Sequence, residues 1–150
     1  KTVRGNSLSG LAEDGESVKV KEGYYNCHPV LRNDIAVYKY AGNSNPLIKI
    51  VKGVPGDRFA LEQAPLRQDY AGQAENGWYI RLNGERLANS KGEPYRLMER
   101  RLSVLALYEK DYQGVIPAGA FLLLGNQAAG SLDSTQFGLV SRDDIVGKIK

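Results

Sequence analysis

The sequence predicts a mainly β protein that folds as one domain over its 150 residues. The apolar stretches are short and rich in β-branched residues, and 17 glycines supply many turns. The Asn83-Gly84 pair between two apolar runs is a strong signal for a β-hairpin. The chain is long enough to bury a sizeable core.

The first half of the chain contains three predicted strands. Residues 17–23 (SVKVKEG) alternate polar and apolar side chains, as a half-buried strand does. Residues 34–40 (DIAVYKY) form a β-rich run after a turn-like RND. Residues 47–54 (LIKIVKGV) form another β-branched run, which the turn residues of 55–57 (PGD) close.

The second half contains a hairpin, two strands and one ambiguous segment. Residues 78–87 (WYIRLNGERL) place a strand on each side of Asn83-Gly84. Residues 94–112 fit helical and strand spacing equally well. Residues 121–126 (FLLLGN) have the continuous apolar character of a buried strand, and residues 144–150 (DIVGKIK) end the chain as a strand.

The middle of the chain differs from both flanks. Residues 58–114 are rich in Gln, Arg, Tyr and Gly, and they predict loops and small hairpins. We expect them to form a polar, variable insertion in a β core made of about residues 1–57 and 115–150. Residues 1–150 are then a single domain.

Composition argues against several classes of function. The net charge of +3 comes from 20 basic and 17 acidic residues that are scattered along the chain, so a nucleic-acid interface is not expected. One cysteine, Cys27, excludes an internal disulfide, and together with the single His28 it makes no typical zinc site. We expect no metal and no cofactor. No stretch approaches the 18 apolar residues of a membrane span.

Ser7, in the stretch GNSLSG (5–10), is either a turn residue or a nucleophile. Its base could be His28, although that residue lies in a loop-like segment beside Pro29. A neutral lysine is the alternative, which requires an apolar setting. Lys49 is flanked by isoleucines, but in a strand it is buried only if both faces are covered.

The segment 123–138 (LLGNQAAGSLDSTQFG) has the composition of a loop. Its Ser131, Asp133 and Ser134 either orient a catalytic group or cap turns. Taken alone, the segment favours turn capping.

Four stretches, taken in order, resemble the type I signal peptidases, which are membrane-bound serine peptidases with a Ser-Lys dyad. They are GNSLSGLAEDGESVKV (the nucleophile box), RNDIAVYKY, LIKIVKGVPGD (the box of the general base) and LLLGNQAAGSLDSTQFGLVSRDDIVGKI (the closing box). LNGERL resembles a hairpin between the last two. The resemblance implies the family's β fold of coiled antiparallel sheets.

The resemblance assigns roles to individual residues. Ser7 falls on the nucleophile, Lys49 on the general base, Ser131 on the serine that holds the lysine amine, and Asp133 on the aspartate of the closing box. The backbone N–H of Ser7 and a second donor near Gly5 would bind the oxyanion. Four residues depart from the family pattern: Gly10 replaces a proline, Ile50 an arginine, Asn126 an aspartate and Thr135 an arginine.

The resemblance also implies substrates and location. The implied substrates are secretory preproteins whose signal peptides are removed after small residues. The candidate residues of the substrate pocket are Leu8, Leu47, Ile48, Ile50 and Val51. The full-length protein is expected to be anchored in the cytoplasmic membrane, with its catalytic domain against the lipid surface of the outer face. The chain opens without methionine, so we expect a soluble domain without its anchor.

Three alternatives remain open from sequence. A specialised processing peptidase of a conjugation or maturation system would carry the same motifs. A LexA-like self-cleaving regulator shares the dyad, but it needs a DNA-binding domain that is not visible here. A non-catalytic assembly factor of the family is expected to lack Ser7 or Lys49, and both are present.

Overall fold

The structure, a computed structural model, describes residues 1–40, 45–68 and 71–150. The strands are β1 Val20–Glu22, β2 Ile35–Tyr38, β3 Leu47–Gly53, β4 Phe59–Gln68, β5 Ala74–Leu82, β6 Glu85–Arg86, β7 Arg96–Leu97, β8 Ala120–Leu124, β9 Val140–Ser141 and β10 Ile145–Ile149. The α-helices are α1 Ser103–Asp111 and α2 Ser134–Phe137, and 3₁₀ turns cover Tyr24–Asn26, Glu99–Arg101 and Arg142–Asp144.

The strands form two antiparallel sheets. The first has the order β1-β10-β2-β3-β8-β9, so the strands from both ends of the sequence are neighbours in it. The second contains β4, β5 and β6 in that order, and β7 also pairs with β5. The predicted mainly β fold is therefore confirmed.

Strand β8 contributes to two of the hydrophobic clusters that stabilise the sheets. Leu122 and Leu124 pack with Phe59, Ile80 and Leu105, which joins the first sheet to the second sheet and to α1. The alternate residues of β8, Phe121 and Leu123, pack in the other cluster with residues of β2, β3 and β10. Strand β8 is therefore buried on both faces, which explains why its sequence is a continuous apolar run.

The predicted hairpin forms between β5 and β6. Asn83 and Gly84 have φ angles of 50° and 87°, and a two-residue turn with both angles positive matches the right-handed twist of the strands. The other predicted strands coincide, within a few residues at their ends, with β1, β2, β3, β8 and β10. Residues 94–112, which the pattern left undecided, contain β7, a 3₁₀ turn and α1.

The middle region is more ordered than the expected loops and small hairpins. Strands β4 and β5 have ten and nine residues and form a long hairpin with a register shift between Ala64 and Arg67. The outer end of β4 is exposed on both faces. It therefore lacks the apolar alternation by which a half-buried strand is recognised.

Candidate active site

Two contacts hold the loop that carries Ser7 in place, the packing of Leu8 and a hydrogen bond to the Ser7 carbonyl. Leu8 is 1% exposed and packs with Val3, Ala12 and Ile50 of β3. Burying a leucine stabilises by about 1.5–3 kcal/mol, so this contact anchors the loop on the first sheet. The Ser7 carbonyl accepts a hydrogen bond of 2.6 Å from the Asn126 N–H, just after β8.

Ser7 and Lys49 are in direct contact, with 2.7 Å between Oγ and Nζ. In the ammonium form Nζ donates to the hydroxyl. Once the amine is neutral, the same contact allows the hydroxyl to donate to the nitrogen lone pair. The spacing is therefore suitable for a transfer of the Ser7 proton to Lys49.

The surroundings of Lys49 disfavour its charged form. Lys49, Ile50 and Val51 are 2%, 3% and 0% exposed, so β3 is covered on both faces. Burial lowers the pKa of Lys49 below the ordinary lysine value, and the negative charge of Asp133 partly opposes this shift. The sequence analysis required both faces of this strand to be covered if Lys49 is to be desolvated, and the structure has this arrangement.

Asp133 is buried and fully hydrogen-bonded by neutral groups. It accepts from the Gly125 N–H, from the Ser131 hydroxyl at 2.6 Å, and from both the N–H and the hydroxyl of Thr135. Its bond to the Thr135 N–H also caps α2. Thr135, where the resemblance led us to expect an arginine, therefore supplies two donors and no charge.

Ser131 lies beside the nucleophile loop. A Cβ added to Gly125 would be 2.2 Å from Ser131 Oγ and 2.8 Å from the Ser7 carbonyl, so glycine is required for this close approach. Within residues 1–40, 45–68 and 71–150, no hydrogen bond joins Ser131 to Lys49. The Ser131 hydroxyl proton is directed at Asp133, which leaves its lone pairs as acceptors. The hydrogen bond by which Ser131 is expected to position the Lys49 amine stays a prediction.

Asn126 connects three segments around the site, which the sequence did not indicate. It is 3% exposed, and its amide nitrogen donates to the Ser9 carbonyl at 2.9 Å and to the Ser90 hydroxyl at 2.8 Å. Its amide oxygen accepts from the Ser90 N–H. An aspartate has no hydrogen to donate when ionised, so the departure to asparagine makes these two donated bonds possible.

The two predicted oxyanion donors differ in their availability. The Ser7 N–H finds no acceptor among the residues that the structure describes. The Gly5 N–H donates to Asp14 Oδ1 at 2.8 Å, so the amide of Gly5 itself is engaged. Gly5 has a φ of 79°, in the left-handed region that favours glycine.

A cavity of about 420 Å³ opens beside Ser7 and Lys49. Three of the five predicted pocket residues, Leu8, Leu47 and Ile48, line it. Ile50 and Val51 do not, and this part of the prediction is corrected. Because β3 is covered on both faces, these two side chains pack in the core instead.

Several other candidates are placed outside the site. His28 stacks on Tyr24, with ring centroids 4.2 Å apart, and its Nδ1 bonds the Tyr24 carbonyl, so it is not the base for Ser7. The Ser134 hydroxyl accepts from the Leu123 N–H of β8. In the described parts of the chain, no cluster of three or more His, Cys, Asp or Glu side chains is arranged to hold a metal ion.

The whole chain, residues 1–150, matches the model of the family described as signal peptidase, peptidase S26. Signal peptidase IB of Staphylococcus aureus (strain COL) is 30% identical over 149 residues, which cover 99% of this chain and 73% of that protein. Signal peptidase I of Bacillus caldolyticus is 31% identical over 150 residues, covering 98% of this chain and 74% of that protein.

A solved structure supports the fold. The crystal structure of a signal peptidase I from Enterococcus faecalis V583 matches with a TM-score of 0.50 and 21% identity, over 82% of this chain and 98% of that chain. The family model and the relatives agree with the resemblance of the four motifs. The chain belongs to the signal peptidase family, peptidase S26, and is a peptidase.

Proposed function

We propose that this chain is a serine endopeptidase that removes signal peptides, with Ser7 as nucleophile and Lys49 as general base. The observation that carries this proposal is the 2.7 Å contact between Ser7 Oγ and the amine of Lys49, a residue that is 2% exposed. Family membership supports the substrate class, because the relatives bear the name signal peptidase.

The reaction proceeds through an acyl-enzyme. Neutral Lys49 takes the Ser7 proton while Oγ attacks the carbonyl carbon of the scissile bond. The resulting ammonium gives its proton to the leaving amine as the C–N bond breaks. Lys49, neutral again, then takes a proton from water, which attacks the ester. Ser7 leaves with the proton from Lys49, and the enzyme is restored.

The Ser7 N–H is the first oxyanion donor, because it lies on the attacking residue and has no acceptor among the described residues. A single such donor typically contributes about 100- to 1000-fold in rate. A second donor near Gly5 requires a group other than the Gly5 amide, which already bonds Asp14. Ser131 supports the base by accepting a hydrogen bond from the Lys49 ammonium.

Substrate selection is assigned to the cavity beside the dyad. Leu8, Leu47 and Ile48 give it apolar walls next to the reacting atoms, which suits small side chains before the cleaved bond. Preproteins reach such an enzyme at a membrane, so the domain acts at the lipid surface on the outer face of the cytoplasmic membrane. None of the helices in the described residues has the length and apolarity to cross a bilayer.

The test is a cleavage assay on a detergent-presented preprotein, comparing the wild type with Ser7→Ala and Lys49→Met. Each variant is expected to lose activity by at least about 100-fold, the usual lower bound for a general base. Lys19→Met, which changes an exposed lysine, is the matched control and retains activity. Full activity of Lys49→Met would show that the dyad assignment is wrong, and an inactive wild type would favour the non-catalytic relative.

A further inference from the structure

A second cavity, of about 780 Å³, lies between the second sheet and the loop after β8. Its charged lining residues are Arg67, Arg96, Arg100, Arg101, Glu75 and Glu93. Glu75 faces Arg96 at 3.3 Å, and Glu93 accepts a hydrogen bond from the Asn89 amide. Among the ion pairs of the described residues, none involves the other three arginines.

Two of these guanidinium groups are held in position by the protein. The side chain of Arg96 is 10% exposed and donates to the Pro65 carbonyl and to both the carbonyl and the carboxylate of Glu75. Arg101 is half-buried beside Gly130 and lies 3.5 Å from the Ser131 carbonyl. Groups that are already ordered lose less entropy when a ligand binds.

This cavity is close to the candidate active site. Ala128 and Ala129 line it, and the Ala128 carbonyl accepts from the Arg96 N–H at 2.9 Å. Ala128 comes two residues after Asn126, whose N–H bonds the Ser7 carbonyl. Two residues span at most about 7 Å, so the cavity begins within a few peptide residues of the nucleophile.

We propose that this cavity, defined by Arg67, Arg96, Arg100 and Arg101, binds an acidic side chain of the peptide substrate a few residues from the cleaved bond. This inference rests on the proposed function. A guanidinium offers a planar fork of donors that matches a carboxylate. The concave wall and its Tyr79, Pro94 and Met98 neighbours fit a peptide segment better than a flat lipid surface.

The test measures binding and cleavage separately. Ser7→Ala protein is titrated with fluorescent peptides that carry Glu or Gln at successive positions, up to five on either side of the bond. At one or more positions the Glu peptide is expected to bind about two- to fivefold more tightly, the range for exposed charge pairs. Adding Arg100→Gln or Arg101→Gln removes this preference, and added salt weakens it.

Arg58→Gln, which changes an exposed arginine outside the cavity, is the matched control and keeps the preference. In the active enzyme the same preference is expected in KM with kcat unchanged. Equal binding of Glu and Gln peptides at every position, or a preference that survives both cavity variants, would overturn the inference. Loss of cleavage with normal Glu preference would instead count against the proposed function.

A third arm tests anionic headgroups. Vesicles of phosphatidylglycerol and phosphatidylcholine are added to the wild type and to Arg100→Gln. The proposal would be refuted if the wild type binds the vesicles, Arg100→Gln does not, and neither protein prefers Glu over Gln peptides. The ligand of the cavity would then be a lipid phosphate and not a peptide carboxylate.

Discussion

Replacing Lys49 by methionine is expected to abolish cleavage and, at the same time, to stabilise the fold. Lys49 is 2% exposed, and burial lowers its pKa. At neutral pH the unfolded chain carries a fully hydrated ammonium, whereas the folded state must either desolvate that charge or release the proton. Both cost free energy of folding, and methionine removes this cost while filling a similar volume.

The size of the gain depends on pH in a direction that linkage fixes. Each unit by which the folded state lowers the pKa of Lys49 corresponds to about 1.4 kcal/mol. Below the folded pKa the wild type bears the whole penalty. Between the folded pKa and the ordinary lysine value of 10.5 only the unfolded chain holds the proton, so the penalty shrinks as pH rises. The advantage of Lys49→Met is therefore largest at low pH and smallest above pH 10.5.

The assay is thermal unfolding of the wild type, Lys49→Met and Ser7→Ala between pH 6 and pH 11. In a domain of this size each kcal/mol changes Tm by about 2–4 °C. Ser7→Ala is also expected to be inactive, but it retains the buried amine of Lys49, so its stability is expected to keep the pH dependence of the wild type. A lower Tm for Lys49→Met, or a gain that does not change with pH, would refute the desolvation argument.

Three further changes test the surroundings of the dyad. Asn126→Asp loses two donated hydrogen bonds, and we expect a loss of about 1–3 kcal/mol in the free energy of unfolding together with a lower kcat, measured by denaturant titration and cleavage. Asp133→Asn removes the charge that opposes the pKa shift of Lys49, so the acid limb of the rate profile moves to lower pH. Gly125→Ala places a methyl group against Ser131 Oγ and is expected to cost about 1–3 kcal/mol by the same titration.

The strands that form the core were predictable because their sequences carry local signals. The β8 run and the Asn83-Gly84 turn show this, since each follows from its own residues. The β4–β5 hairpin was not predictable in its full length, because the outer end of β4 is exposed and lacks a pattern. The pairing of this part of β4 depends on its partner strand, and the local sequence of β4 carries no information about that partner.

The candidate site was predictable only through the order of four motifs. Ser7 and Lys49 are 42 residues apart, and neither carries a distinctive local signal. The role of Asn126 was not predictable, because its hydrogen-bond partners Ser9 and Ser90 belong to two distant segments. The assignment of Ile50 and Val51 to the pocket failed because strand alternation does not reveal which faces a fold covers.

Thr135, which stands where the resemblance implies an arginine, affects the electrostatics around Lys49, the proposed base. Four neutral donors satisfy the Asp133 carboxylate without cancelling its charge, so its field still acts on Lys49. Desolvation is the larger effect, and the pKa of Lys49 is lowered despite this field. An arginine at position 135 would offset the negative charge and lower the pKa further. With threonine there, Lys49 is expected to become neutral at a higher pH. The cleavage rate of the wild type is therefore expected to peak at a more alkaline pH than that of a Thr135→Arg variant.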